Sequence, residues 1–271
     1  MDDKSRTISV RKFHAGESKE SEDLVVVEAP LEIRLSHPLK DNGLPQQIAI
    51  TMRTPGDDPE LALGFLFTEG IIQRYDQVES LDAQNHEIIT VHLTREASFD
   101  WTGLERKIYT SSSCGICGKA DLKSVKTETP FLPWSSPQKI GLADLLKLKE
   151  TLSKNQYLFS QTGGSHATFL FDGESKVLKV GEDVGRHNAM DKVVGYSLKE
   201  GILPLDQHIL VVSGRASFEL VQKAAMTGCA IVCSVGAPSS LAIETAKEHG
   251  ITLIGFLGKD RCNIYSGDRV V

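Results

Sequence analysis

From Leu31 to Leu35 apolar and charged residues alternate without a break (Leu31, Glu32, Ile33, Arg34, Leu35), the period of a strand with one face against a core. Leu24 to Val27 and Ile48 to Met52 read as strands on either side of it, and Asp41-Asn42-Gly43 supplies a turn before the third. The charged segment before Leu24 has no such period and is expected to fray. Asp58-Pro59 opens a helix, with Asp as cap and Pro at the first position, and Gly70 stops it. His86 to Leu93 is a further strand. The pattern predicts an antiparallel α+β lobe over residues 1–108.

Beyond residue 138 the pattern changes. Leu142 to Leu152 is an amphipathic helix, and Ala167 to Phe171 and Lys176 to Val180 flank the hairpin signal Asp172-Gly173. A helix from Gly185 to Ser197 follows. Strands at Ile209 to Val212, Ala230 to Val235 and Ile251 to Phe256 then alternate with helices at Ser217 to Met226 and Ser239 to His249. That order, β-α-β-α-β, predicts an α/β domain over 139–271 with a largely parallel sheet covered by helices. Between the two lies a stretch rich in Ser, Gly, Lys, Thr and Pro, residues 109–138, read as a mobile loop.

In open α/β sheets ligands bind beyond the carboxyl ends of the strands. Those ends lead into Ser213-Gly214-Arg215, Ser234-Val235-Gly236 and Gly258-Lys259-Asp260-Arg261, which should share one edge. Glycine lets backbone amides approach a ligand, Arg and Lys offer charge to a phosphate, and Asp260 can accept from a base or ribose. Turn chemistry and solvated charge are the competing explanation of such loops.

At 271 residues the chain exceeds the usual size of one core, consistent with two lobes. With 40% hydrophobic and 24% charged residues it is an ordinary globular composition, and a net charge of −6 argues against nucleic acid as a partner. Met1 to Asp23 lacks the apolar core of a secretory signal, and no segment approaches the ~18 apolar residues of a membrane span. A cytoplasmic protein without a membrane partner is expected.

Five cysteines divide into two kinds. Cys229, Cys233 and Cys262 sit in apolar runs and read as small buried hydrophobes. Cys114 and Cys117, in Ser113-Cys114-Gly115-Ile116-Cys117-Gly118, lie among residues too small and polar to bury them, so reactivity explains them better. Such a pair can bind zinc, cycle between dithiol and disulfide, or carry sulfur as a persulfide. Structural zinc needs four ligands, and no second pair with ligand spacing is present. Dithiol exchange favours a pair that opens a helix, whereas glycines bracket this one. A free thiol with a pKa near 8.5 is only ~3% ionised at pH 7; Arg106, Lys107, Lys119 and Lys123 can raise that fraction.

Two further segments carry candidate chemistry. Glu182 to Lys192 packs Asp183, Arg186, His187, Asn188 and Asp191 around a helix start, and at i,i+4 spacing Asp191 could fix the His187 tautomer. A capped, solvated helix is the plainer reading. Thr162-Gly163-Gly164-Ser165-His166-Ala167-Thr168 weakly resembles the His-x-Glu of zinc deaminases, but the glutamate is absent and the C-x-x-C lies upstream, which disfavours deamination.

Several longer motifs occur in order: Glu28-Ala29-Pro30-Leu31; Thr54-Pro55-Gly56-Asp57-Asp58 with Gly64-Phe65-Leu66 and Glu69-Gly70-Ile71-Ile72; the Cys114 segment; Thr162 to Ala167; Asp183 to Ala189; and Ser213-Gly214-Arg215-Ala216-Ser217-Phe218-Glu219. Together they resemble the FdhD/NarQ family, the formate dehydrogenase accessory sulfur-carrier proteins. The resemblance implies a cytidine-deaminase-like mixed sheet with helices on both faces, plus a smaller N-terminal α+β lobe. It implies a sulfurtransferase-like carrier that accepts sulfur from an IscS-like cysteine desulfurase. The sulfur passes to the molybdenum cofactor, Mo-bis(molybdopterin guanine dinucleotide), before that cofactor enters formate dehydrogenase. The cofactor is then a substrate, and no tightly bound metal of the chain's own is implied. Cys114 maps onto the persulfide carrier and Cys117 onto an auxiliary thiol. The cofactor-binding segment maps onto Phe256, Leu257, Gly258, Lys259, Asp260 and Arg261, whose middle residues depart from the family pattern. Arg186, His187 and Arg215 are further candidates for that pocket, and a homodimer is the candidate assembly. A non-catalytic cofactor chaperone, or a redox or zinc protein, is the alternative.

Overall fold

The structure, a computed structural model, describes residues 4–97 and 129–271. Cys114, Cys117 and most of the loop expected over 109–138 lie outside the described residues.

An antiparallel ribbon opens the chain, β1 (Ser5–His14) paired along its length with β2 (Glu17–Val26). This corrects the expectation of a frayed start. Both faces of the ribbon are largely exposed, so its residues alternate in no hydrophobic pattern, and its turn places Ala15 and Gly16 at φ of 51° and 87°. Next come β3 (Ala29–Ser36), β4 (Gln46–Arg53), helix α1 (Asp58–Thr68), β5 (Val78–Asn85) and β6 (Ile88–Leu93), in a sheet ordered β4-β3-β6-β5. The alternation in β3 buries Leu31, Ile33 and Leu35 on one face. The expected antiparallel lobe is corrected at one pairing, because β3 and β6 run parallel (Glu32 opposite Ile88). Two hairpins, joined by α1, are laid side by side, and their inner strands point the same way. Arg53, 1% exposed, ties β4 to α1 by a forked pair of bonds to Asp58, Nε to Oδ1 at 2.8 Å and Nη2 to Oδ2 at 2.9 Å.

The second sheet has six strands ordered β12-β11-β10-β9-β7-β8: β7 (His166–Phe171), β8 (Val177–Asp183), β9 (Ile209–Val212), β10 (Ile231–Ser234), β11 (Thr252–Gly255) and β12 (Asn263–Ser266). β9, β10 and β11 are parallel, and each is buried at every residue, as strands covered on both faces must be. β7 and β12 flank them antiparallel.

Helix α2 (Leu142–Asn155) and the short α3 (Tyr157–Thr162) precede β7, and α4 (Arg186–Lys199), α5 (Phe218–Met226) and α6 (Ser240–Glu248) follow β8, β9 and β10. One face of the sheet (Phe169, Val211, Ile231, Ile254) takes Leu145, Leu148 and Leu152 of α2, each worth about 2 kcal/mol when buried. The other face (Leu170, Leu210, Val212, Val232, Leu253) belongs to an apolar cluster with α4, α5, α6, α1 and the inner face of the four-stranded sheet. Helices thus cover both faces, as expected.

Glycines fix how α1 meets α4. A Cβ on Gly64 would collide with the carbonyl of Asp191, and one on Gly195 with the carbonyl of Glu60, so the two backbones touch directly. Beside that crossing Asp191 is buried with Lys223 of α5, at 2.8 Å and 2.9 Å from Nζ, and Thr68 Oγ1 donates to Asp191 Oδ1 at 3.0 Å. Burial raises the Asp191 carboxyl, and Lys223 opposes that effect.

Candidate functional site at the strand ends

The loops that leave the three parallel strands share one edge and are stitched across it. Gly236 N–H donates to Gly214 O at 2.9 Å, Phe256 N–H to Gly236 O at 3.1 Å, and Leu257 N–H to Ser234 O at 3.0 Å. Gly236 is tightly packed, since a Cβ there would lie 3.0 Å from Gly214 O and from the Arg215 side chain and would require them to give way. At the near end of the edge Ser213 Oγ accepts from Ala167 N–H at 2.9 Å, which fixes the entry of β7.

Beside this edge lies a cavity of about 300 Å³, walled by Lys149 of α2, Phe159 of α3, Gly163, Gly164 and His166 at the entry to β7, and Gly214 after β9. Gly163 ends α3 at φ 66°. Glu182 holds that short helix in place by accepting from Leu158 N–H at 2.9 Å and Phe159 N–H at 3.1 Å. Burial, followed by the nearby charges of Arg186 and His187, lowers the His166 imidazole from its ordinary value, with Asp183 partly opposing.

The first turns of α4 and α5 meet near His166. His187 Nε2 stands 3.8 Å from Glu219 Oε2, an ion-pair distance too long for a hydrogen bond. His187, with smaller help from the α5 backbone and Ser217, holds the Glu219 carboxyl at about 2 against burial. Arg186 Nε and His187 Nε2 are buried and make no hydrogen bond to a described residue. The expected pairing of Asp191 with His187 is corrected, because Asp191 is taken up by Lys223 and Thr68 in the core. The carboxylate facing His187 is Glu219, a residue that sequence spacing could not place because it comes from another helix.

The turn into α4 is anchored by a buried pair. Asp183 and Lys192, both with side chains 0% exposed, lie 2.8 Å apart. Lys192 Nζ also donates to Thr54 O at 2.9 Å and Glu182 O at 3.1 Å. Asp183 accepts from Gly185 N–H at 2.8 Å, Thr54 N–H at 3.1 Å and Asn188 Nδ2 at 3.2 Å. The residues quoted in sequence around Asp183 therefore do two jobs. Asp183, Asn188 and Lys192 bind the lobes together, while Arg186 and His187 act on the His166 imidazole of the cavity wall by their charge.

Of the six residues mapped to cofactor binding, Lys259, Asp260 and Arg261 are exposed, and Phe256 is 43% exposed although its backbone sits at φ 53°. A bulky residue held in the left-handed region costs of order 1–3 kcal/mol and is common where a side chain is presented to a ligand. Leu257 is 1% exposed and belongs to the core on the α2 face, so it can offer a ligand only its backbone. Gly258 N–H closes a turn onto Arg261 O at 2.8 Å. This segment continues the edge one strand beyond the cavity and contributes none of the wall.

The described thiols are held protonated. Burial pushes Cys229 up to about 11, Cys233 well above its ordinary value, and Cys262 upward. Among the described residues no group of three or more His, Cys, Asp or Glu could hold a metal, and no helix is long and apolar enough to cross a membrane.

Comparison with known proteins gives one family. The sequence model of the FdhD/NarQ family matches residues 26–271. A protein of Mycolicibacterium paratuberculosis named sulfur carrier protein FdhD is 42% identical over 271 residues, 96% of this chain and 97% of its own. Proteins of the same name from Streptomyces avermitilis (44% over 256 residues, covering 91% and 88%) and Saccharolobus solfataricus (40% over 264 residues, covering 96% and 97%) are also similar. Among solved structures, one described as a formate dehydrogenase accessory protein from Desulfotalea psychrophila superposes with a TM-score of 0.76 at 24% identity, covering 98% of this chain and 99% of that one. It shares the fold.

Proposed function

Since the chain belongs to the FdhD/NarQ family, we propose that it is a sulfur carrier that serves a formate dehydrogenase from the cytoplasm. Cys114 accepts a sulfane sulfur from a cysteine desulfurase as a persulfide. It passes that sulfur to the molybdenum cofactor in its guanine-dinucleotide form, held at the strand-end edge from Phe256 to Arg261, and Cys117 is an auxiliary thiol.

The observation that carries this reading is the division of the thiols. Persulfide chemistry needs a thiolate within reach of its partners. Cys229 and Cys233 are buried and held protonated, and Cys262 is shifted the same way. Cys114 and Cys117 remain as the thiols whose sequence surroundings suit the task. The edge suits an anionic, nucleotide-bearing substrate, because it offers glycine backbone and the exposed Lys259, Arg261 and Arg215 at the carboxyl ends of parallel strands.

The test is transfer of sulfur-35 from cysteine by a desulfurase. Cys114 of the full chain acquires label, and Cys114→Ala acquires none and no longer activates formate dehydrogenase, while its unfolding midpoint is unchanged. Full activation by Cys114→Ala overturns the proposal. Activation by a wild-type chain that never takes up label identifies a cofactor-binding chaperone instead.

A further inference from the structure

A second cavity, of about 560 Å³, opens at the ends of β7 and β9 opposite to the strand-end edge. The turn from β7 to β8 gives it Asp172 and Glu174, and the connection from α4 to β9 gives it Ile202, Pro204, Asp206 and His208. Its described wall thus carries three carboxylates and no Lys or Arg. Asp172 Oδ1 accepts from the N–H groups of Glu174 at 3.0 Å and Lys176 at 2.8 Å, which fixes the turn. His208 Nδ1 is buried without a hydrogen bond to a described residue, and burial lowers the ring from its ordinary value, with Asp172 and Asp206 opposing.

Along one side of this cavity runs a strap, Phe131 to Gln138. A Cβ on Gly228 would lie 2.9 Å from Phe131 Cβ and 3.0 Å from Pro204 Cβ, so Phe131 and Pro204 are neighbours. Ser136 Oγ donates to Asp206 O, and a Cβ on Gly173 would lie 3.3 Å from both Gln138 Oε1 and Gln207 O. The strap therefore meets the wall at three points. Between them Leu132 and Trp134 are 51% and 54% exposed. Trp134 is nonetheless fixed in place. Its Cβ sits where a methyl on Gly250 would come within 2.6 Å, and the Arg269 guanidinium donates to Trp134 O at 3.2 Å, Pro133 O at 3.3 Å and Gln138 O at 3.3 Å.

We propose that this surface docks a basic segment of a protein partner, with an arginine in the acidic cavity and an apolar neighbour on Leu132 and Trp134. Charge selects the occupant. Three carboxylates without a cation in the wall leave a negative field that a guanidinium offsets, and its planar fork of donors matches carboxylates two bonds at a time. Ile202 and Pro204 suit the aliphatic stem that brings the head group in. Among the described residues no group of His, Cys, Asp or Glu could hold a metal, so the acidic wall fits an organic cation better than an ion. The strap makes that cation part of a protein. A small amine would fill the cavity and leave Leu132 and Trp134 bare, whereas a polypeptide covers both. An indole already held by its backbone loses little freedom when it is covered, which is why tryptophan so often anchors an interface. The inference is independent of the sulfur-carrier reading, and a partner bound at this end leaves the strand-end edge open.

In the full chain, Trp101→Phe leaves Trp134 as the one indole, and its emission is followed as the peptide acetyl-Gly-Leu-Arg-Gly-Leu-Arg-Gly-amide is added. A saturable change is expected, with none from the same peptide carrying Glu in place of Arg. Affinity should fall as salt rises from about 0.05 to 0.5 M, since these charges are open to screening. Asp172→Asn combined with Asp206→Asn, which keeps an acceptor oxygen for the turn, is expected to bind at least about tenfold more weakly. Glu174→Gln, at an exposed turn position where folding is not at stake, should weaken binding about threefold. Trp134→Ala should weaken it too, read by the anisotropy of a fluorescein-labelled peptide. No saturable binding, or equal binding of the Glu peptide, overturns the proposal. So does an affinity left unchanged by both Glu174→Gln and the paired Asp variant. Agmatine, a guanidinium without a polypeptide, is titrated last: if it binds as tightly as the peptide, the cavity is a small-cation site and the docking surface falls.

Discussion

Lys192→Met gives the sharpest test of how the two sheets are held together. The substitution keeps an unbranched side chain of similar length and removes the ammonium that faces Asp183 at 2.8 Å in a place with no solvent exposure. Three bonds are lost: to Asp183, to Thr54 O and to Glu182 O. Breaking a buried ion pair from one side costs about 3–5 kcal/mol, because the partner is left charged and out of water. Asp183 keeps three donors, from Thr54, Gly185 and Asn188, which places the expected loss toward the middle of that range, about 4 kcal/mol. Against a typical stability of about 5–15 kcal/mol that is a change of roughly three decades in the folding equilibrium. The assay is urea unfolding of the full chain for wild type, Lys192→Met, Asp183→Asn and the double variant. Removing both charges should cost less than the sum of the single changes by about 2 kcal/mol. A loss below about 1 kcal/mol in Lys192→Met, or strict additivity in the double variant, would refute the reasoning.

Three further outcomes follow from the same geometry. Gly64→Ala drives a methyl into the Asp191 carbonyl and should cost about 3 kcal/mol, read as a lowered unfolding midpoint; wild-type stability would contradict the backbone contact. Glu219 is depressed in the folded state to about 2 from 4.5, so its contribution is present above 4.5 and is lost as pH falls toward 2. The stability gap between wild type and Glu219→Gln should therefore shrink over that window, and a pH-independent gap would be wrong for this pair. Alkylation of the native chain at about pH 8 should spare Cys229 and Cys233, which burial holds protonated, and modify them after unfolding in urea; mass spectrometry showing either modified first would contradict their placement.

The parts of the fold legible in sequence are those where burial leaves a period. The alternation of β3 and the short, wholly apolar β9, β10 and β11 each have one structural solution, and the loops they nominated do share an edge. Elements without a hydrophobic face were missed. The ribbon of β1 and β2 is exposed on both sides, and β5 is an edge strand spelled Val-Glu-Ser-Leu-Asp-Ala-Gln-Asn, close in composition to a loop. The parallel pairing of β3 with β6 was missed because it depends on α1 joining two hairpins, information carried by no local window. At the site, motif residues were found but not their partners. Spacing offered Asp191 to His187 because both lie on α4, whereas the contact is made by Glu219, which is 32 residues further along than His187 and near it only in the fold.

The glycine crossing of α1 and α4 also determines how motion reaches the site. From Gly195 back to Arg186 runs about 14 Å of continuous helix, at about 1.5 Å per residue. A helix of that length behaves as a stiff rod, pinned at one end by bare backbone contact to α1 and at the other by the Asp183–Lys192 pair. Sliding along α1 is blocked by the carbonyls that fill the space where the missing side chains would be. The aim of Arg186 and His187 is thus calibrated by two methyl groups that the sequence leaves out, one of them in a helix that never approaches the cavity.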